Sequence, residues 1–355
     1  MRTITHALAW PGAPLALLSA ALFGASTPLA KLLLGGVDPW MLAGLLYLGA
    51  GICLAVIHVA RRLLGSAPPE APLRRADLPW LAGVVLAGGV LGPVLLMLGL
   101  AATPASAASL LLNMEGLFTL GIAWVVFREN VDLRVGLGAA AILLGALILA
   151  WEGGPAGLGG GALAIVAACL CWGIDNNLTR KLSSADPLEI AMVKGLIAGA
   201  VNVGLASLHG AALPPPAGIA ATALVGLFGY GVSLVCFVLA LRHLGSARTG
   251  AYFSAAPFIG ALLAILLFGD PITLRLAAAA LLMGLGLYFH LVEHHEHEHR
   301  HDELVHEHAH VHDAHHRHAH SPEDPAGEPH AHVHRHAPML HRHPHYPDIH
   351  HRHVH

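Results

Sequence analysis

Three charged side chains lie inside long apolar runs of this chain. Glu115 is near the middle of its run, and Asp175 and Lys194 lie in two later runs. A charged side chain at the centre of a membrane helix costs about 2.5 to 3.5 kcal/mol on insertion scales, so such residues are functional candidates. Asn113 and Asn176 are close to the two acids in sequence. We predict these five residues to be the substrate and transport residues.

Asp175 and Lys194 are predicted to lie at the same depth in the membrane. Asp175 lies about seven residues before the end of its predicted helix, and Lys194 lies about seven residues after the start of the next one. These two helix ends are on the same side of the membrane. Pairing of the two charges would lower the insertion cost of both. The pattern leaves open whether the pair is structural or takes part in transport. Glu115 has the same two interpretations: a transport carboxyl, or a carboxyl that only fastens helices together.

A second kind of chemistry is concentrated at the C-terminus, where residues 294–355 hold 24 of the 29 histidines. Histidine alternates there with acidic and small residues, and so little apolar content predicts a disordered tail. Flexible imidazole runs bind nickel, cobalt, zinc and copper with little selectivity. The alternative is a solvating or pH-responsive tail. The predicted metal ligands are His294, His295, His297, His299, His301, His306, His308, His310, His312, His315, His316, His318 and His320.

The rest of the chain predicts a helical membrane protein. The sequence is 55% hydrophobic and only 12% charged, with a mean hydropathy of +0.63. These values exclude an ordinary water-soluble domain, and the near-neutral core argues against a nucleic-acid partner. The tryptophans, Trp172 among them, are expected at the membrane interfaces. The ten predicted spans are Ala13–Leu34, Trp40–Val59, Leu78–Leu100, Ala105–Phe127, Leu133–Trp151, Gly161–Leu182, Leu188–Leu208, Gly218–Leu241, Gly250–Phe268 and Leu274–Leu291.

The distribution of Lys and Arg between the spans predicts the orientation. With the N-terminus in the cytoplasm, eleven Lys and Arg residues at or beyond the ends of the spans fall on the cytoplasmic side, and only Lys31 and Arg275 fall on the outer side. Cytoplasmic loops carry the excess of positive charge. Ten spans then return the histidine tail to the cytoplasm. We therefore expect a multi-pass protein of the cell membrane with both termini cytoplasmic.

The core contains an internal repeat. At an offset of 141 residues, Phe127 aligns with Phe268 and Glu129 with Asp270. The Asp-Pro sequence at Asp38 recurs at Asp186. The repeat gives two halves of five spans, 13–151 and 161–291, followed by the tail 294–355. Because five is odd, the halves must have opposite orientations in the membrane, which is the inverted-repeat architecture of secondary transporters.

The two halves differ in their charged residues. Glu115 aligns with Ala256, and Asp175 aligns with Ser26. The scaffold is thus predicted to be symmetric while its polar groups are not. Glycines such as Gly88 are expected to interrupt helices and free backbone carbonyls near a cavity.

Several segments resemble a known family. LLLNMEGLFTLGIAWVVFREN and its counterpart YFSAAPFIGALLAILLFGDP, with the LFG and CWG starts of the two halves, are similar to EamA domains of the drug/metabolite transporter (DMT) superfamily. The resemblance covers about Leu15–Leu291. It implies an all-α integral membrane protein, with ten helices around a central cavity and alternating access, usually for export or exchange of small solutes. Members with histidine-rich extensions look like nickel or cobalt exporters, and this chain is similar in that respect.

These observations predict a secondary exporter of a divalent cation such as nickel, cobalt or zinc, working by proton-coupled alternating access. One alternative is an exporter of an amino acid or other small metabolite with a metal- or pH-responsive tail. Another is a membrane metal buffer or sensor that transports nothing. No HExxH, GxSxG or paired-Asp motif lies at membrane depth, and the sequence contains no Walker A motif, so we expect no enzyme and no nucleotide-driven pump. Transport is expected to need no cofactor, although the tail would bind a divalent metal. The expected partners are the solute, the bilayer and a second copy in a homodimer.

Overall fold

The computed structural model describes residues 12–65, 73–127, 133–151, 158–182, 185–291, 295–301, 304–310, 330–336 and 339–345. The first half contains α1 (Gly12–Leu33), α2 (Pro39–Leu63), α3 (Leu78–Val84), α4 (Gly92–Ala102), α5 (Ala105–Leu111), α6 (Met114–Phe127) and α7 (Leu133–Ala150). The second contains α8 (Gly160–Thr179), α9 (Pro187–Leu208), α10 (Pro216–Gly226), α11 (Ser233–Phe253), α12 (Ala256–Phe268) and α13 (Leu274–Leu291). Short 3-10 helices cover Arg75–Asp77 and Arg180–Leu182.

These helices form the ten spans predicted from the sequence. Eight helical segments of the described chain are long and apolar enough to cross a bilayer, and α12 and α13 are shorter apolar helices. Of the eight, α3 and α4 form one segment, Arg75–Ala102, and α5 and α6 form another, Ala105–Phe127. A third, Pro216–Ala240, joins α10 to the first part of α11. The chain is therefore a multi-pass membrane protein of two five-span repeats.

Two helix pairs display the symmetry of the repeats. In α7 and α13, a Cβ at Gly138 would lie 2.7 Å from the carbonyl oxygen of Gly286, and a Cβ at Gly145 would lie 3.0 Å from that of Ala279. At the offset of 141, Gly145 corresponds to Gly286 and Gly138 to Ala279. The repeat symmetry therefore relates the two contacts to each other. Small residues let membrane helices approach backbone to backbone, because they leave room for the facing main chain.

The repeated Asp-Pro sequences begin the second helix of each half. Asp38 accepts hydrogen bonds from the amides of Trp40 and Met41, and Asp186 accepts one from the amide of Leu188. Each aspartate caps a helix whose first residue is proline, which lacks the amide hydrogen that would otherwise need a partner. The repeat signal in the sequence is therefore a helix-start signal.

Contacts between helix ends define two ends of the bundle. At one, which we call the Lys31 end, Lys31 contacts the end of α4 and Arg275 contacts the end of α7. At the opposite end, called the Arg61 end, His290 hydrogen-bonds the carbonyl of Val135 at 3.1 Å. α7 and α13 therefore run antiparallel between the two ends.

Both halves contain irregular helix at matching places. A π-helix covers Val85–Leu91 between α3 and α4, and a second covers Leu227–Val232 between α10 and α11. The α5–α6 span is broken at residues 112–113, and α11 and α12 are separated at residues 254–255. Sequence analysis placed the start of the ninth span at Gly250, whereas α11 continues to Phe253 and α12 begins at Ala256. The interruption expected around Gly88 is a π-helix.

Four strands lie in the histidine tail, where the sequence analysis predicted disorder. They are β1 (His295–His301), β2 (Leu304–His310), β3 (His330–His336) and β4 (Met339–His345). β1 pairs with β4 and β2 with β3, both antiparallel. Histidine at every second position has the two-residue period of a strand, and main-chain groups can pair across a ladder without an apolar core. The described tail segments therefore differ from the expectation.

We expect Gly138→Val to destabilise the bundle, because its side chain would overlap the backbone of α13. Overpacking of this kind costs about 1 to 3 kcal/mol. Gly136→Val is the matched control on the same helix, since a Cβ at Gly136 meets no atom within 4 Å. Thermal unfolding in detergent should give a lower midpoint for Gly138→Val alone. Equal midpoints for the two variants would contradict this packing.

Candidate functional site

A cavity of about 520 Å³ lies inside the bundle. Its residues on α2 and α8 come from the middle and last parts of those helices, and its residues on α9 come from the first part. The cavity therefore occupies the half of the bundle toward the Arg61 end. It is lined by Phe23, Tyr47, Ala50, Leu54, Glu115, Trp172, Asp175, Asn176, Ala191, Lys194, Gly195, Gly229, Tyr230, Ser233, Leu234, Phe237 and Phe253.

Glu115 lies in the first turn of α6, directly after the helix break. Its Oε1 accepts a hydrogen bond of 3.0 Å from Nδ2 of Asn176, which also donates to Oγ1 of Thr119 at 3.1 Å. The Thr119 hydroxyl donates to the carbonyl of Glu115 at 2.9 Å. These contacts leave the second carboxyl oxygen of Glu115 available to another partner.

Asp175 and Lys194 form an ion pair between α8 and α9. The Asp175 side chain is 5% exposed and the Lys194 side chain 21% exposed, so the lysine is the more exposed member of the pair. Oγ1 of Thr179 donates to Asp175 at 3.3 Å. The pair satisfies both charges at a depth where water is scarce.

The first π-helix forms the wall behind this pair. The carbonyl of Gly88 accepts two hydrogen bonds, from the hydroxyl of Tyr47 at 2.9 Å and from Nε1 of Trp172 at 3.0 Å. A Cβ at Gly88 would overlap the carboxylate of Asp175. Nδ2 of Asn202 donates to the carbonyl of Gly89 at 3.2 Å. Side-chain donors therefore satisfy carbonyls of the π-helix, and they fix two aromatic rings beside the ion pair.

Aromatic rings form a second wall of the cavity. Phe23 lies 5.8 Å from Tyr230 and 5.3 Å from Phe253, measured between ring centroids. Phe253 lies 5.0 Å from Phe237, and Tyr230 lies 5.7 Å from Tyr47. Such spacings are those of packed aromatic pairs. The cavity is thus charged on one side and aromatic on another.

The structure brings together four of the five predicted transport residues. Glu115, Asp175, Asn176 and Lys194 line the cavity, and Asn113 does not. Nδ2 of Asn113 instead donates to the carbonyl of Leu110 at 2.8 Å, at the helix break. Asn113 therefore bonds main chain at the break, where its own amide donates to the same carbonyl.

The aromatic lining was missed by the sequence analysis. Trp172 was expected at a membrane interface, but it is 8% exposed and faces the cavity, because its indole N–H finds the carbonyl that the π-helix frees. Tyr47 and Tyr230 have no neighbouring charge in sequence to mark them. Their position near the middle of apolar spans, instead of at the ends, is the signal that would have identified them.

Within the part of the chain that the structure describes, no group of three or more His, Cys, Asp or Glu side chains is arranged to hold a metal ion. Of the predicted tail ligands, seven lie on β1 and β2. The others, His294, His312, His315, His316, His318 and His320, lie outside the described residues.

The ion pair gives a testable expectation for stability. Asp175→Asn should destabilise the protein by about 3 to 5 kcal/mol, because it leaves the Lys194 charge without its partner. Asp175→Asn combined with Lys194→Met should recover most of the loss. The readout is the folded yield and thermal midpoint in detergent. A double variant no better than Asp175→Asn would contradict the coupling.

Comparison with known proteins gives the family. The profile of the EamA-like transporter family matches residues 10–151 and 159–292, one match for each repeat. A solved crystal structure that is 20% identical aligns with a TM-score of 0.57, over 78% of this chain and 95% of that one. This likeness supports the fold.

Several curated relatives are similar over most of their length. An uncharacterized transporter of Methanothermobacter thermautotrophicus is 30% identical over 280 residues, which are 75% of this chain and 82% of the relative. A probable terminal-alkyne amino-acid exporter of Streptantibioticus cattleyicolor is 29% identical over 69% of this chain and 83% of the relative. The uncharacterized inner membrane transporter YedA of Escherichia coli K12 is 25% identical over 67% and 78%. With a family match in both repeats, this chain belongs to the EamA-like transporter family.

Proposed function

We propose that the protein exports a small organic solute that carries an ammonium group and an apolar body, of the kind represented by an apolar amino acid. The observation that carries this proposal is the division of the cavity into a charged wall and an aromatic wall. A hydrated inorganic ion would gain little from the rings, whereas an amphipathic organic molecule can contact both walls at once.

The charges of the cavity match those of a zwitterion. Glu115 offers a carboxylate oxygen to an ammonium group, and nearby rings such as Tyr230 add cation–π attraction. Lys194 keeps part of its side chain exposed while it pairs with Asp175, so its ammonium group can also meet a carboxylate. One relative is named a probable terminal-alkyne amino-acid exporter, which agrees with a solute of this class.

Export requires that the solute enter from the cytoplasm. The Lys/Arg distribution favours a cytoplasmic Arg61 end, with both termini on that side. The two exceptions are engaged in capping helix ends: Lys31 donates to carbonyls at the end of α4, and Arg275 to those of Ile148 and Trp151. In this orientation the cavity lies on the cytoplasmic side of the bundle.

Proton exchange at Glu115 would drive the cycle. Its carboxyl can hold either a proton or the ammonium group of the solute. A solute entering from the cytoplasm displaces the proton, and a proton arriving from outside later displaces the solute. One proton then enters for each solute that leaves, and no nucleotide is hydrolysed.

Divalent metal export is the second candidate, and the histidine tail is the observation that favours it. The carboxylates that line the cavity are those of Glu115 and Asp175. The Asp175 carboxylate is already paired with Lys194. A divalent cation would therefore have to replace an ion pair to gain two oxygen ligands. The organic solute requires no such exchange. A membrane metal buffer without transport would leave the aromatic cavity without a role.

We expect Glu115→Gln to be expressed and folded but to lose export nearly completely. Glutamine keeps the size and much of the hydrogen bonding of glutamate, but it cannot exchange a proton for a cation. The assay is flux in proteoliposomes for L-leucine, L-glutamate, Ni²⁺, Co²⁺ and Zn²⁺, with and without a pH gradient. The native protein should carry L-leucine at a rate that responds to the pH gradient, and Glu115→Gln should not.

Glu189→Gln is the control, because Glu189 accepts a hydrogen bond from the amide of Leu73 and does not line the cavity. This variant should transport like the native protein. Proton-coupled L-leucine flux through Glu115→Gln at the native rate would overturn the role of Glu115. Flux of Ni²⁺, Co²⁺ or Zn²⁺ without flux of either amino acid would favour the metal hypothesis.

The tail is proposed to bind divalent metal and to adjust transport to it. Truncation after Val292 removes all 24 tail histidines but none of the described spanning helices. The truncated protein should insert, fold and transport, while the effect of micromolar Ni²⁺ or Zn²⁺ on flux should weaken. Loss of insertion would indicate a structural tail. An unchanged metal response would remove the tail from transport.

A further inference from the structure

The Lys31 end of the bundle is closed by direct backbone packing of α1 and α12, with α5 against them. A Cβ at Gly24 would overlap the carbonyl of Ala256. A Cβ at Gly260 would lie 2.7 Å from the carbonyl of Gly24 and 2.9 Å from the hydroxyl of Ser109. Only glycine allows this approach, so the three helices form a tight seal above the cavity.

Hydrogen bonds reinforce the seal at its rim. Asp270, between α12 and α13, accepts from the amide of Ser106 at 3.0 Å and from its hydroxyl at 2.6 Å. Lys31, in the last turn of α1, donates to the carbonyls of Leu100 at 2.5 Å and Thr103 at 3.1 Å. Asp270 thereby joins the second repeat to the first, and Lys31 joins α1 to the end of α4.

The repeat symmetry relates this seal to the opposite end. At the offset of 141, α12 corresponds to α6, and α5 corresponds to the last turns of α11. At the Lys31 end the two elements are in contact. At the related place, Glu115 of α6 and Phe253 of α11 line the cavity. Two related pairs of elements therefore differ: α5 and α12 are packed together, whereas the last turns of α11 and α6 are separated by the cavity.

We infer that the α5–α12 contact is the gate through which the solute leaves, and that the Ser106–Asp270 hydrogen bonds hold it shut in this conformation. This inference rests on the proposed function. Exchange of the two arrangements between the repeats would close the cavity at the Arg61 end and open it at the Lys31 end. The gate is reversible because its polar groups lie at the rim: when Ser106 and Asp270 separate, water near the membrane surface can replace their mutual hydrogen bonds.

Cross-linking tests the gate directly. The double variant Ser106→Cys with Asp270→Cys is cross-linked by a short bifunctional thiol reagent in proteoliposomes, and L-leucine flux is measured before and after reduction. Cross-linked protein should not transport, and reduction should restore flux. In each single variant, flux after treatment with the reagent should equal the flux of the same variant before treatment. Full flux through the cross-linked protein would overturn the gate.

Accessibility provides a readout that does not depend on the solute. Ser109→Cys should react slowly with a membrane-impermeant maleimide added from outside, and several times faster when Asp270→Asn weakens the rim. The parent protein, with its own four cysteines, gives the background labelling. An unchanged rate in the combined variant would contradict the gate. Absent L-leucine flux in the native protein, together with accelerated labelling, would instead refute the proposed solute and leave the gate standing.

Discussion

Polar groups inside a bilayer have little water to bond to, and the arrangement of this bundle follows from that constraint. Several deviations from a regular apolar helix are accompanied by a partner. Lys194 is paired with Asp175, and the Gly88 carbonyl freed by the π-helix accepts from Tyr47 and Trp172. At the Lys31 end, Lys31 satisfies carbonyls at the end of α4. The cavity lies where the ion pair meets the first π-helix, so the requirement to satisfy polar groups also places groups that a solute would contact.

The symmetric scaffold carries an asymmetric site. Gly88 packs against Asp175, and at the related place a Cβ at Gly229 would lie 2.6 Å from the Cβ of Ser26. A glycine packs against a side chain at both places, while the charge is present in only one repeat. Aromatic rings contributed largely by the second repeat complete the cavity. Inverted repeats allow two related conformations, and different side chains in the two halves give a single asymmetric binding site.

Much of this architecture could be predicted from sequence. Apolar runs of membrane length gave the spans, and the offset of 141 residues gave the repeat. The insertion cost of charge identified Glu115, Asp175 and Lys194 without any knowledge of packing. The role of Asn113 could not be predicted, because it depends on how the α5–α6 span breaks. The aromatic wall depends on how each helix is rotated, which apolar runs do not reveal. Alternating histidines were assigned to disorder because they cannot form an apolar core, yet their period also suits paired strands.

The central claim is that Glu115 exchanges a proton for the ammonium group of an organic solute. The most direct measurement is the number of protons released when L-leucine binds to the purified protein in weak buffer. At a pH low enough to protonate the free carboxyl, the account predicts about one proton released per bound L-leucine for the native protein, as one-for-one exchange at a single carboxyl requires, and none for Glu115→Gln. Equal proton release by the two proteins, or L-leucine binding without any proton release by the native protein, would contradict it.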